Sequence, residues 1–130
     1  MMNGSVASDE LLARYIMQSD WIRSDQTIRP NAFIPRDSEL SVTRHLGLTE
    51  EYLWKIGRKI TEGTPRSLYG RADVKTCYVT AQGLDVVSDP VEPDNPNHAN
   101  IINWPPEKNA RKMCALEIAR AARFVANPER

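Results

Sequence analysis

A chain of 130 residues with 17 Lys plus Arg against 17 Asp plus Glu carries no formal net charge. Its 41% hydrophobic and 26% charged content is that of a globular protein rather than a disordered one. Such a length suits one domain with one core, and the balanced charge gives no general attraction to nucleic acid or anionic lipid. The apolar runs are only a few residues long, which excludes a bilayer-crossing helix of about 20.

Residues 1–7 read as a frayed leader ahead of a single α+β domain over 8–126. The first residues carry neither a basic stretch nor an apolar one, so no secretory signal is expected and the setting reads as cytoplasmic. Ser8 is placed to cap a helix running to Gln18, with Asp9 and Glu10 at its positive end and Leu11, Leu12, Tyr15 and Ile16 as its apolar stripe. Residues 19–38 are irregular, because Pro30 and Pro35 discourage helix, yet Trp21, Ile22, Ile28, Phe33 and Ile34 give them mass to pack on a core.

Leu40 to His45 alternates, with Leu40 and Val42 on one face and Ser41, Thr43 and His45 on the other, as in a half-buried strand. Thr49 is an N-cap for a helix to Glu62 whose buried stripe is Leu53, Ile56 and Ile60; Gly63 and Pro65 end it. The β-branched content from Val74 to Val87 predicts strands near 73–80 and 84–88. Five prolines between 89 and 106 predict an ordered loop, with at most a poor strand around Ile101 and Ile102. A long terminal helix then runs from Pro105 and Pro106 to Val125. The architecture expected is a mostly antiparallel sheet of three or four strands packed by two or three helices.

Candidate sites follow from residue type. On the terminal helix, with Ala110 at 0° and about 100° per residue, Cys114, Ile118, Phe124 and Val125 fall in one apolar arc, and Glu117 at about 340° falls inside it. A carboxylate there pairs with an arginine, lies at a thin margin of the core, or serves as an acid, a base or a ligand-orienting group. The opposite side carries Lys108, Arg111, Lys112, Arg120 and Arg123. Such a stripe is either a solvated face or a contact for phosphate or an acidic partner, and no aromatic residues alternate with it to stack bases. His45 beside Arg44 and His98 in the amide-rich loop are the two side chains that titrate naturally near neutrality. Brought together, with Arg44 or Arg71 holding an anion, they would suit metal-independent cleavage of RNA or a nucleotide. Asn97, His98, Asn100 and Trp104 form the candidate ligand-binding set. Cys77 and Cys114 stand alone and read as reduced thiols. No motif for a phosphate loop, nucleophile elbow, zinc protease or calcium hand is present, so no cofactor and no metal are expected.

Three segments, Arg29-Pro-Asn-Ala-Phe-Ile-Pro35 with Leu40–Arg44, Gly47-Leu48 with Trp54–Gly57, and Asn95–Pro105, together resemble a group of small bacterial proteins of uncharacterised function. The resemblance spans roughly residues 10 to 125 and implies a whole-domain family in a bacterial cytoplasm. It carries over no activity, cofactor or site residue. With no reaction motif in view, the expected role is a non-catalytic binding or accessory protein that contacts another protein; the alternative is the small histidine-pair enzyme, and nucleic-acid binding through the basic helix ranks below both.

Overall fold

The structure, a computed structural model, describes residues 6–130. Its strands are β1 Leu11–Ile16, β2 Leu40–Arg44, β3 Gly70–Lys75, β4 Asp85–Ser88, β5 His98–Ile102 and β6 Arg123–Ala126. The helices are α1 Glu50–Thr61, the short α2 Thr76–Thr80 and α3 Lys108–Ala121, with 3-10 turns at Ser19–Trp21 and Pro30–Phe33. The fold is α+β. All six strands join one antiparallel sheet in the order β4-β5-β2-β1-β3-β6, so it is wider than the three or four strands expected. Of the expected leader, residues 1–5 lie outside the described residues, and Val6 packs against the core.

The helix expected over Ser8–Gln18 is instead β1, one of the two central strands of the sheet. Its apolar residues were compatible with a helical stripe, but Leu12 and Ile16 bury on one face while Ala13 and Tyr15 bury on the other. A strand covered on both faces loses the simple alternation that reveals a half-exposed one. Asp9 and Glu10 cap nothing. Glu10 instead meets the Arg44 guanidinium at 2.6 and 2.9 Å.

Register divides the sheet into two faces. On the first, Leu12, Ile16, Leu40, Val42, Val74, Ala99 and Ile101 pack against Phe33, Cys114, Ala115 and Ile118 from the 3-10 turn and α3. On the second, Tyr15 and Leu68 pack with Trp54 and Ile56 of α1. Thr49 accepts the Tyr52 amide at 3.1 Å, so the α1 cap forms as its sequence predicts.

Two further expectations change. The strand expected over 73–80 ends at Lys75, after which Thr76–Thr80 turns into α2. The terminal helix stops at Ala121, and Arg123–Ala126 crosses over to pair with β3. Phe124 and Val125 therefore belong to a strand. Removing them moves the helix's buried arc to Cys114, Ala115, Ile118 and Ala119, centred about 130° from Glu117 at 100° per residue. Glu117 is accordingly a surface residue, paired with Arg120 at 3.1 Å.

Gly57 is needed where α1 crosses β1. A Cβ there would lie 2.7 and 2.9 Å from Tyr15 ring carbons. Gly57→Ala is expected to lower stability by about 1–3 kcal/mol through overpacking, outweighing the ~1 kcal/mol that alanine gains as a helix former. A thermal melt at or above that of the parent would contradict this packing.

Candidate functional site

The β1–β2 ladder pairs only Leu12 with Arg44 and Ala13 with Thr43, whereas β1 and β3 pair over their full length. Beyond Ala13 the two strands part, and Arg14 fills in for the missing ladder. Its Nε donates to the Ala32 carbonyl at 2.8 Å and its Nη1 to the Ser41 carbonyl at 3.1 Å. Burial, with Arg66 nearby as a lesser cause, pushes the Arg14 pKa down to about 10, which leaves it charged at neutral pH. No carboxylate among the described residues pairs with it.

A pocket of about 70 Å³ opens beside this parting. Tyr15, Met17, Val42 and Ile60 give it apolar walls, while Arg14, Ser41, Thr43, Asn95 and His98 supply polar groups. Asn95 comes from the tight turn in which Val91 bridges Asn95, and it is 5% exposed. Its Nδ2 donates to Thr43 Oγ1 at 2.8 Å. Its Oδ1 has no partner, and it is the one buried side-chain polar atom among the described residues left so.

The chain of bonds behind Asn95 fixes which way its amide points. The Leu53 carbonyl of α1 can only accept, so the Tyr15 hydroxyl donates to it. Burial raises the Tyr15 pKa; the Arg71 charge and the Thr43 hydroxyl, donating toward the phenol oxygen, pull the other way. Thr43 Oγ1 therefore has its lone pairs free for the Asn95 NH2. Turning the amide over would set two acceptors against each other, so Nδ2 faces Thr43 and the Oδ1 is left without a partner and shielded from solvent. His98 is oriented by the same reasoning. Its Nδ1 lies 2.8 Å from the Asp89 carbonyl and 3.3 Å from Asp89 Oδ2, both acceptors, so Nδ1 carries a proton.

A second polar cluster lies under the start of α1. Arg71 on β3 is 2% exposed and stacks on Trp54, its guanidinium carbon 4.8 Å from the ring centroid. Its Nε donates to both Asp73 oxygens at 3.0 and 3.1 Å, and Nη1 and Nη2 grip Glu50 at 3.0 and 2.7 Å. Burial alone would lower the Arg71 pKa, but the bonds to Glu50 and Asp73 outweigh it and raise the value. Asp73 also accepts His45 Nε2 at 3.0 Å. An open cleft of about 560 Å³ lies over this cluster, with Lys75, Tyr78 and Arg123 among its lining.

The structure does not bring His45 and His98 together. The row Asp73, Ala13, Thr43, His98 runs across four neighbouring strands. Three strand spacings, roughly 14 Å, thus separate the backbone that anchors the His45 ring from that of His98, whose own ring is held toward Asp89. Arg44 lies on the first face, bound to Glu10, and Glu117 is remote on α3. Of the expected ligand set, only His98 lines the pocket. Asn97 donates to the Arg44 and Leu46 carbonyls, Asn100 donates to Asp89, and Trp104 is buried with its Nε1 on the Ile101 carbonyl. The five basic residues are not one stripe either. Arg111 holds the Pro105 and Asp37 carbonyls, Arg120 pairs with Glu117, and Arg123 is on β6, which leaves Lys108 and Lys112 on α3.

Asn95 and Tyr15 were not singled out as site residues from the sequence. The signal for Asn95 was its place between Pro93 and Pro96, which holds an amide in a tight turn. Cys77 and Cys114 are both free thiols. Among the described residues no cluster of His, Cys, Asp and Glu is arranged to hold a metal ion, and no helix is long and apolar enough to cross a membrane.

The bonds from Arg71 hold the Glu50 carboxyl below its ordinary value of 4.5. A depressed carboxyl stabilises the fold above its unfolded pKa, and that contribution is lost as pH falls through the folded value. Because Glu50 is largely exposed, Glu50→Gln is expected to cost less than about 1 kcal/mol at neutral pH, with the difference closing below pH 4.5. Arg71→Ala leaves Asp73 buried without that partner and is expected to cost about 3–5 kcal/mol. Urea unfolding across pH checks both, and an equal cost for the two variants would refute the assignment of Arg71 as the dry centre of the cluster.

Comparison with protein-family models, with curated proteins and with solved structures finds no match to this chain.

Proposed function

We propose that this chain is a small non-catalytic binding protein that acts through contact with another protein, along the groove between α1 and the turn at Val91–Asn95. The observation that carries the reading is the apolar stripe left along that groove. Tyr52 and Ile60 of α1 are 40% and 41% exposed and Val91 is 45% exposed, beside a cavity of about 180 Å³ lined by Tyr52, Ile56 and Pro93. Tyr52, Ile56 and Ile60 recur every four residues, so they share one helix face. Lys55 and Lys59 border it as a polar margin, the arrangement of an apolar centre and charged rim found in protein interfaces.

The disposition of the ionisable groups supports the same reading. Arg44, Arg71 and Glu117 each hold a partner of opposite charge within the fold, and His45 and His98 each meet a carboxylate, so they serve the scaffold first. The test is a cross-linking capture from bacterial extract with the parent chain and with Tyr52→Ala/Ile60→Ala. Half-exposed positions of this kind are expected to change stability by less than about 1 kcal/mol each. A protein retained by the parent and lost from the variant supports the groove; equal retention by both removes it.

A second reading, a metal-independent enzyme acting on RNA or a nucleotide, is favoured by one observation. Asp73 orients His45 through Nε2, and the cleft above Asp73 is lined by Lys75 and Arg123. An imidazole oriented by a carboxylate beside cations is a general-base arrangement. Cleavage of labelled RNA that disappears in His45→Ala would support this reading against the first.

A further inference from the structure

We propose that an extended acidic segment of a partner protein adds to β6 as a new edge strand and sets a carboxylate against Arg123 and Lys75. β6 closes one side of the sheet and pairs with β3 alone. In an antiparallel ladder, hydrogen-bonded and non-bonded pairs alternate. The Asn127 amide donates to the Tyr69 carbonyl at 3.0 Å, in the same register as Gly70 with Ala126, so Arg71 with Val125 and Asp73 with Arg123 are also bonded pairs. Phe124 and Ala126 therefore turn their N–H and C=O groups outward, where they meet no other hydrogen-bond partner among the described residues. An extended peptide completes such an edge with its own backbone.

Side chains choose the peptide. Arg123 and Val125 stand on the α1 face of the sheet and, with Leu11, Lys75 and Tyr78, line the open cleft of about 560 Å³. Lys75 and Arg123 are exposed, and neither has a carboxylate partner among the described residues. The acids that share the cleft, Glu50 and Asp73, are already held by Arg71. An added strand places its side chains directly beside those of β6, which favours Asp or Glu opposite Arg123 and an apolar residue opposite Val125. The far edge of the sheet, β4, begins with Asp85 and repels the same peptide. Two copies meeting at β6 would crowd both Arg123 and both Lys75 side chains into one short interface, which opposes self-pairing. Nucleic acid would satisfy the two cations, but its backbone has no N–H for the outward carbonyls.

The test uses the full chain and the capped peptide acetyl-Thr-Val-Val-Glu-Val-amide, followed by NMR. The peptide is expected to shift the Phe124 and Ala126 amide resonances saturably and to slow their exchange with solvent at least severalfold. The same peptide with Lys in place of Glu should bind at least about tenfold more weakly. Successive amides of a strand point to opposite sides, so N-methylation of one alternate set should abolish binding while methylation of the other set is tolerated. Arg123→Gln with Lys75→Gln, at exposed positions outside any ion pair, should keep the fold and bind the Glu and Lys peptides within about threefold of each other. Equal binding of the two peptides by the parent chain overturns the proposal, as does indifference to which amides are methylated. Shifts at β6 from an oligouridylate and none from the peptide overturn it in favour of RNA. Concentration-dependent dimerisation that protects the Phe124 and Ala126 amides without peptide overturns it in favour of a second copy. The groove at Tyr52 and Ile60 lies on the flank of α1 toward Val91 and Pro93, so a failed capture there leaves the result at β6 standing.

Discussion

The Leu53 carbonyl, turned into a dry interior, can only accept, and that one fact sets the direction of the hydrogen bonds behind it. Tyr15 donates to it, Thr43 donates toward Tyr15, and Asn95 donates to Thr43. The sequence of donors joins α1, β1, β2 and the turn before β5, four segments far apart in the chain. In a low-dielectric interior such a series is strong when complete and costly when broken, because each member that loses its partner leaves a buried polar group unpaired. Gly57 belongs to the same arrangement. Only a residue without a Cβ lets the helix lie close enough for the Tyr15 hydroxyl to reach a helical carbonyl.

The Arg71 cluster holds the same first turn of the helix from its outer edge. Glu50 is the first residue of α1, and Arg71 ties it to β3 while stacking on Trp54 one turn further along the helix. The two attachments differ in kind. One is a neutral hydrogen-bond series that is nearly dry; the other is an ion cluster with one exposed carboxylate that titrates. Both attachments fall within the first five residues of α1, at Glu50, Leu53 and Trp54, so the Tyr52 end of the groove beside it is fixed before any partner binds. Preformed sites lose less conformational freedom on binding than sites that must order.

Much of this was legible in the residues, and what was not has identifiable causes. Thr49 was legible as a cap because capping is local: a side-chain oxygen three residues ahead of an amide needs nothing from the rest of the chain. Leu40 to Arg44 was legible because one of its faces alternates. Leu11 to Ile16 was not, since both faces bury and its leucines fit a helix as well. Arg123 to Ala126 was hidden for another reason. Nothing in Ala121-Ala122-Arg123-Phe124 forbids helix, and only the empty edge beside β3 draws the chain out of it. That error carried Glu117 into an apolar arc it does not occupy. His98 was found from its chemistry, whereas Asn95 was missed because an asparagine next to a proline reads as turn material. Its unpaired oxygen exists only once Thr43, Tyr15 and Leu53 have been assembled around it.

The presence of that oxygen has a physical reason within the fold. An unpaired buried acceptor costs about 1–3 kcal/mol, so an apolar residue of similar size would look preferable at position 95. Yet the same side chain supplies the NH2 that Thr43 needs. Leucine there would relieve one unpaired oxygen and create another, at Thr43, deeper in the sheet. Valine at 43 would then be required as well, and Tyr15 would lose the hydroxyl that donates toward it. Asn95 is thus locked in by the series it terminates, and its unpaired oxygen is the buried end of that series.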